Sequence, residues 1–374
     1  MSEPCKSLLS SRLEEYRNRG ILRELPTVTT DQFQIDFTSN DYLSIARRGL
    51  LHHECSDARG STGSRLLSGN SALAEEVEHT LATFHEASAG LIFNSGYDAN
   101  IGVLSALPSR HDVVLYDELC HASMRDGVRL SLAKSYSFRH NDLDDLEKKL
   151  KRTKRPGATQ FVACESIYSM DGDSAPLQEL HALVAHYDAW LIVDEAHATG
   201  MFGTDGAGLV QHHKIHDRVV ARIHTFGKAL GCHGAVVVGG ALLRELLITS
   251  ARSFIYTTAL PPDSYAVVRQ AYAVMKNGEH ERRVVLELAA RFSTLDFGDR
   301  VTVSRNVGPI QSIIIGSSSR ARQCAQELRQ RGFGVRAIVS PTVAKGTERI
   351  RICLHAHNSA QELDSLALAV RECS

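Results

Sequence analysis

The sequence carries almost no net charge. Its 42 Lys and Arg stand against 43 Asp and Glu, a formal charge of -1 at pH 7. So balanced a chain has no global field to draw phosphates, which excludes a nucleic-acid binder defined by charge. The run from Lys148 to Arg155 is a local basic patch only. Long apolar runs are missing too. The nearest, Ala235 to Leu243, is ended by Arg244 after nine residues, short of the ~20 that cross a bilayer. The N-terminus has no basic, apolar, small-residue succession, because Glu3, Arg12 and Glu14 interrupt it, so no signal peptide is read there. A cytoplasmic protein, with no membrane partner and no nucleic-acid partner, is expected. The eight cysteines include no CxxC pair and read as reduced, mostly buried thiols. No internal repeat or low-complexity tract is visible.

Apolar material is ample. Hydrophobic residues make up 43% of 374 and charged residues 23%, which excludes disorder over the whole length and suits two structural units. The opening segment, Leu8 to Leu25, has helical spacing, and Phe33 to Phe37 alternates like a strand. A loop of small residues follows, from Arg59 to Ser64 and on to Asn70. Helix then alternates with short apolar strand. Leu73, Val77, Leu81 and Phe84 share one helical face; Leu143, Leu146 and Leu150 a second; Leu177, Leu180, Val184 and Tyr187 a third. Strands are expected at Gly90–Phe93, Phe161–Cys164 and Trp190–Val193. This alternation predicts an α/β unit with a largely parallel sheet covered on both faces. After Pro262 the texture changes. A long helix over 264–291, strands near 312–315, 335–339 and 350–354, and helices near 320–331 and 360–371 predict a smaller α+β domain. The expected division is 1–45, an N-terminal helix and strand; 46–262, a large α/β domain; and 263–374, the small domain.

Four polar clusters sit at strand ends, where open α/β sheets bind ligands. Asn94-Ser95-Gly96-Tyr97 opens a helix whose N-terminal amides suit a phosphate, though such a turn can be only a turn. The stretch Glu165 to Asp173 holds Ser169; its carboxylates, without other context, read as turn caps before they read as functional groups. Asp194-Glu195-Ala196-His197 follows an apolar strand, so the carboxylate needs a partner. A nucleotide-hydrolase reading of this box requires GxxxxGK[ST], yet Ala229 follows Gly227-Lys228 and Arg222 stands where the first Gly belongs. Metal spacing is absent as well, with no HExxH. In Thr225 to Gly231, Lys228 lies between apolar segments. It reads either as a loop lysine or as a buried amine with a depressed pKa, a nucleophile for carbonyls. Together the clusters supply what an aldehyde cofactor with a phosphate and a cationic ring nitrogen needs: an amine, a carboxylate, a group near the ring oxygen and a phosphate cradle.

The sequence resembles the α-oxoamine synthases from about Arg12 to the C-terminus. The resemblance rests on Ser39-Asn40-Asp41-Tyr42-Leu43, the Gly-Ser-Arg-Leu-Leu-Ser-Gly stretch from Gly63, Asp117 to Ser123, Ser169 to Asp173, Asp194 to His197, and Thr225 to Gly231. It implies the aspartate aminotransferase-like fold type I of pyridoxal-phosphate-dependent transferases. It also implies decarboxylative condensation of an amino acid with an acyl-CoA or acyl-carrier-protein thioester, with pyridoxal 5'-phosphate as cofactor and a homodimer as the assembly. Thr225 to Ala229 and Phe254 to Pro262 are most similar to the biotin-pathway branch, which joins L-alanine to a pimeloyl thioester.

The same resemblance implies roles. Lys228 would bind the cofactor aldehyde and move the substrate proton. Asp194 would pair with the ring nitrogen, and His121 would stack on the ring. His197 and Ser169 would sit near the ring oxygen. Gly96, Tyr97 and Thr225 would hold the phosphate, with Thr257 or Thr258 reaching in from a second subunit. Arg351 would clamp the amino-acid carboxylate, and Arg23 and Thr342 would contact the acyl substrate. The chain departs from the branch pattern Arg-Pro-Pro-Thr-Val-Pro, since Val339-Ser340-Pro341-Thr342-Val343-Ala344 stands there. The segment between Arg47 and Arg59 is short for the family. Two rivals stand beside this reading: an idle cofactor-binding scaffold, and an aminotransferase or aldolase on the same fold.

Overall fold

The structure is a computed structural model that describes residues 3–23, 25, 35–51 and 60–373. Phe33, Arg59, Cys55 and most of the short 47–59 segment lie outside the described residues. The chain divides into two compact units, 1–34 and 35–374. The first contains α1 (Glu3–Asn18). This helix stops short of the expected Leu25 because Gly20 turns left-handed at φ 64. Its N–H donates to Arg17 O at 2.8 Å and that of Ile21 to Tyr16 O at 3.0 Å, which closes the last turn.

The second unit opens with a two-residue strand, β1 (Ile35–Asp36). Seven strands then form one sheet: β2 (Ala89–Phe93), β3 (Val113–Asp117), β4 (Lys134–Phe138), β5 (Gln160–Glu165), β6 (Trp190–Asp194), β7 (Val219–Thr225) and β8 (Ala235–Gly239). Their order is β2-β8-β7-β6-β5-β3-β4. All run parallel except β8, which is antiparallel to both neighbours. The intervening helices are α2 (Ala72–Phe84), α3 (Gly96–Ala106), α4 (Ala122–Leu130), α5 (Leu143–Thr153), α6 (Leu177–His186), α7 (Leu209–His213), α8 (Ala241–Ser250) and α9 (Arg252–Ile255). They cover both faces. Leu191 and Val193 of β6 belong to the same buried cluster as Leu146, Leu180 and Val77 on one side. Ile192, one residue out of phase, belongs to the second buried cluster, with Val103, Met124 and Leu247, on the other. Side chains of a strand alternate between faces, so a strand buried on both reads as one apolar run.

The chain then continues through α10 (Pro262–Lys276), α11 (Glu279–Thr294), β9 (Thr302–Ser304), β10 (Ile310–Ile314), α12 (Ser318–Gln330), β11 (Phe333–Gly334), β12 (Arg336–Ile338), β13 (Arg349–Cys353) and α13 (Ala360–Cys373). Here β12-β13-β10-β9 form an antiparallel sheet, and β1 pairs in parallel with β11. The single helix expected over 264–291 is two helices. Asn277 caps the first, and Gly278, with φ -87 and ψ 33, opens the second. The strand expected at 335–339 is found as β12 over 336–338, and the two-residue β11 just before it was not expected. Strands β3 and β4 were not read from the sequence. β4 is the edge of the sheet and all but its last residue is exposed, so Lys-Ser-Tyr-Ser-Phe shows no apolar run. The expectation of eight reduced thiols is corrected at one pair. Cys324 on α12 and Cys373 on α13 form a disulfide, with Cα atoms 5.2 Å apart and a separation of 49 positions in sequence. Packing of the two helices creates that proximity, which spacing alone does not reveal. No described helix is long and apolar enough to cross a membrane.

Candidate active site

Five segments converge at the C-terminal ends of the parallel strands. β2 leads to Gly96, β3 to His121, β5 to Ser169, β6 to Asp194 and His197, and β7 to Thr225 and Lys228. A parallel sheet gathers there the loops that leave every strand.

Lys228 Nζ lies 2.9 Å from His197 Nε2. The other ring nitrogen, Nδ1, lies 2.7 Å from the Tyr42 hydroxyl. Tyr42 donates its own proton to Asn40 Oδ1 at 3.1 Å. His197 therefore donates from Nδ1 to Tyr42 and accepts at Nε2 from Lys228. Burial, then the cations Lys228 and Arg351, drive its pKa well below the ordinary value, so the ring is neutral. Burial also lowers the Lys228 pKa, against the pull of Asp194 and Glu165. That raises the fraction of free amine, the nucleophilic form.

Asp194 is 5% exposed. Its Oδ2 accepts from Asn100 Nδ2 at 2.7 Å and its Oδ1 from the Ala196 N–H at 2.9 Å. The second proton of Asn100 Nδ2 goes to Ser123 Oγ at 3.0 Å, and Ser123 Oγ lies 2.7 Å from His121 Nδ1. The Ser123 N–H also reaches that nitrogen, at 3.2 Å. Nδ1 is thus an acceptor and the His121 proton sits on Nε2. One chain of hydrogen bonds fixes both the carboxylate and the imidazole. Glu165 pairs in register with Asp194 across β5 and β6. Burial, with the Asp194 charge adding, pushes its pKa up to about 8.

A profile of the aminotransferase class I and II family matches residues 33–370. The chain belongs to that family. Among curated members, the 8-amino-7-oxononanoate synthase of Emericella nidulans is 42% identical over 395 residues, covering 98% of this chain and 96% of that protein. The 8-amino-7-oxononanoate synthase 2 of Bacillus subtilis is 36% identical over 374 residues, covering 96% and 95%. Among solved structures, an 8-amino-7-oxononanoate synthase from Francisella tularensis aligns with a TM-score of 0.77 at 28% identity, over 90% of this chain and 97% of that one. A serine palmitoyltransferase from S. paucimobilis aligns at 0.86 over 100% and 98%; at 24% identity it shows the fold alone. The chain is a pyridoxal-phosphate-dependent acyltransferase of this fold.

The site fits the family's cofactor. Asp194 is a buried carboxylate whose described hydrogen-bond donors are both neutral amides, so the site has use for a cation. Glu165 Oε1 and Asn100 Oδ1 are buried without a partner among the described residues. At the start of α3, Ser95 caps the helix by accepting the Asp98 N–H at 3.1 Å. A Cβ on Gly96 would come within 3.2 Å of Thr225 Oγ1, so glycine keeps that cradle open.

Ser169 is buried, and its carbonyl accepts from Arg351 Nε at 2.6 Å. Arg351 also donates to Asn40 Oδ1 at 3.1 Å, which brings β13 to the Tyr42–His197–Lys228 group. Thr257 Oγ1 accepts from Asn94 Nδ2 of the same chain at 2.9 Å, and the Thr258 carbonyl accepts at 3.0 Å. The Tyr97 hydroxyl donates to Asp126 on α4 at 2.6 Å. Thr342 is exposed, its N–H turned to Val339 O at 3.0 Å. Arg23 is exposed in the N-terminal unit.

Tyr42, Asn100, Ser123 and Glu165 belong to the site but had no role assigned from sequence. The one sequence signal for Asn100 is an amide inside an otherwise apolar helical stretch. The fold also gathers Asp36, His355 and His357. Asp36 Oδ1 accepts from Thr38 and Ser39, and His355 is held by Ser39 and Asn358, so these groups already serve the chain.

Proposed function

We propose that the chain condenses L-alanine with a pimeloyl thioester, releasing the thiol carrier and CO2, to give 8-amino-7-oxononanoate. The observation that carries this is the Lys228–His197–Tyr42 relay set beside the Asp194–Asn100–Ser123–His121 chain. The full-length identity to proteins of that name supports the choice of substrates.

When bound, pyridoxal phosphate supplies an aldehyde for the substrate amine and a pyridinium ring that spreads a carbanion's electron pair. The chain's residues do the rest. Lys228 holds the cofactor and then, as a free amine, takes the proton from the substrate α-carbon. His197, neutral and oriented by its Nδ1–H donated to Tyr42, accepts a hydrogen bond from that amine and keeps it aimed. Asp194, fixed by Asn100, keeps the ring nitrogen protonated by its charge. His121 covers the ring face, and Ser169 and His197 serve the ring oxygen. Gly96, Tyr97 and Thr225 receive the phosphate, with Thr257 or Thr258 of a second copy. Arg351 takes the amino-acid carboxylate, and Arg23 and Thr342 contact the acyl chain.

The test is thiol release by the cofactor-loaded protein across a matrix of substrates. Pimeloyl thioester with L-alanine is compared with acetyl- and succinyl-CoA with glycine and palmitoyl-CoA with serine. Release confined to the first pair is expected, and none from Lys228→Ala. Release with another pair moves the protein to a sister activity, with Val339 the first residue to exchange. Amino transfer to a keto acid without thiol release, or cofactor binding without turnover on any pair, overturns the acyl-transfer reading.

A further inference from the structure

His140 lies outside every group named so far, yet it stands between two of the loops that build the site. Its Nδ1 is 3.0 and 3.2 Å from the two carboxylate oxygens of Asp117. Its Nε2 is 2.8 Å from Asp173 Oδ2. Carboxylates only accept, and a neutral imidazole has one N–H. Both contacts are satisfied at once only when the ring carries two protons. Asp117 is fully buried, and an uncompensated carboxylate there would be costly.

The two carboxylates have other duties. Asp117 ends β3 and accepts the Leu119 N–H at 2.8 Å and the Asn141 N–H at 3.0 Å. It thereby shapes the turn that delivers His121. Asp173 closes the loop holding Ser169, since the Tyr168 N–H donates to Asp173 O at 3.0 Å and the Gly172 N–H to Tyr168 O at 2.8 Å. Asn141, strained at φ 53, adds a bond from Nδ2 to Asp173 Oδ2 at 2.8 Å. We propose that His140 is a positioning residue: its doubly protonated ring bridges Asp117 and Asp173 and so holds the His121 and Ser169 loops in one geometry around pyridoxal phosphate.

The groups facing the ring support its charge. Besides Asp117 and Asp173, Glu118 Oε1 accepts the His140 backbone N–H at 3.2 Å, and the Tyr168 ring meets it edge-on at 4.4 Å. Two cations of the adjoining segment are paired with other carboxylates, Arg139 with Asp142 and Lys149 with Asp145. Burial opposes the charge, but Asp117 and Asp173 outweigh it and raise the His140 pKa to about 10.

The inference rests on His121 and Ser169 being cofactor contacts. Cofactor affinity of His121→Ala and Ser169→Ala tests that reading separately: both are expected to bind pyridoxal phosphate more weakly than the unaltered protein, and unchanged affinity in both would remove the premise. The test of the clamp is His140→Gln in the loaded enzyme, assayed well below its melting temperature. The cofactor dissociation constant is expected to rise roughly tenfold, the scale of one lost charge-assisted hydrogen bond. kcat/KM for the amino acid should fall by a similar factor, with KM for the thioester unchanged. A lower melting temperature with cofactor affinity and amino-acid kcat/KM intact would make His140 merely structural and overturn the proposal. Should the variant not fold, the imidazole proton resonances of the unaltered protein decide. One ring should keep its protonated shift through about pH 8.5, above the ordinary histidine range. Titration of every histidine near or below pH 6.5 overturns the clamp.

Discussion

At the scale of single residues, the site is a set of protonation states chosen by burial. His197 is neutral because it is buried beside two cations, and Lys228 has its ammonium form disfavoured in the same place. Glu165 shows the sign of the effect for an acid. Its folded pKa of about 8 exceeds the value of 4.5 for a free side chain. Below about pH 4.5 both the folded and unfolded chains hold the proton. Between there and pH 8 the folded chain keeps a proton that the unfolded chain has lost, so the group's contribution to stability falls as pH rises. Glu165→Gln removes this dependence. In cofactor-free protein the melting-temperature gap between Glu165→Gln and the parent should widen from pH 5 to pH 8 and level off above. A gap constant over that range would show an unperturbed carboxyl. In the sequence Glu165 read as a turn cap, because nothing local places Asp194 on the neighbouring strand.

At the scale of elements, the loop from Tyr168 to Asp173 joins the parallel sheet to the antiparallel one. Ser312 Oγ donates to Met170 O at 2.8 Å, Asn306 Nδ2 donates to Asp171 O, and Arg349 pairs with the Asp171 carboxylate. Gly172 makes the turn at φ 77, and a Cβ there would run into the Ile310 carbonyl. Gly172→Ala should destabilise the protein by about 1–3 kcal/mol, read as a lower urea midpoint at unchanged slope. An unchanged midpoint would mean the loop shifts without cost. The apolar runs of β5 and β6 and the amphipathic period of α5 and α6 were readable, although β3, equally buried on both faces, was missed. The polar edge β4 and the break at Gly278 were not, since an exposed strand needs no apolar pattern and a helix break can leave periodicity nearly intact.

At the scale of the whole molecule, the surface carries large exposed apolar side chains, among them two segments on either side of the Gly63–Ala259 hydrogen bond. Leu67 is 85% exposed, Leu66 49% and Tyr256 71%. Apolar exposure of this kind marks contact surfaces, in keeping with the homodimer the resemblance implies. Light scattering is expected to give twice the 41.0 kDa of one chain. A fully active species at the single-chain mass would show that each chain completes its own site and would remove the second-copy role of Thr257 and Thr258.

The sequence by itself determined the alternation of helix and strand, the polar clusters at strand ends, and the order of His121, Asp194, His197 and Lys228 along the chain. Those are local properties: apolar period, small residues at turns, and motif spacing. Tertiary structure alone decided which groups meet. Tyr42 reaches His197 across 155 positions, Asn100 reaches Asp194 across 94, and Arg351 reaches Ser169 across 182. It also decided that Cys324 meets Cys373 and that His140 lies between two carboxylates. Hydrogen bonds and charge pairs act over a few ångströms in space. Only the closed sheet and the packed helices bring residues so distant in sequence within that range.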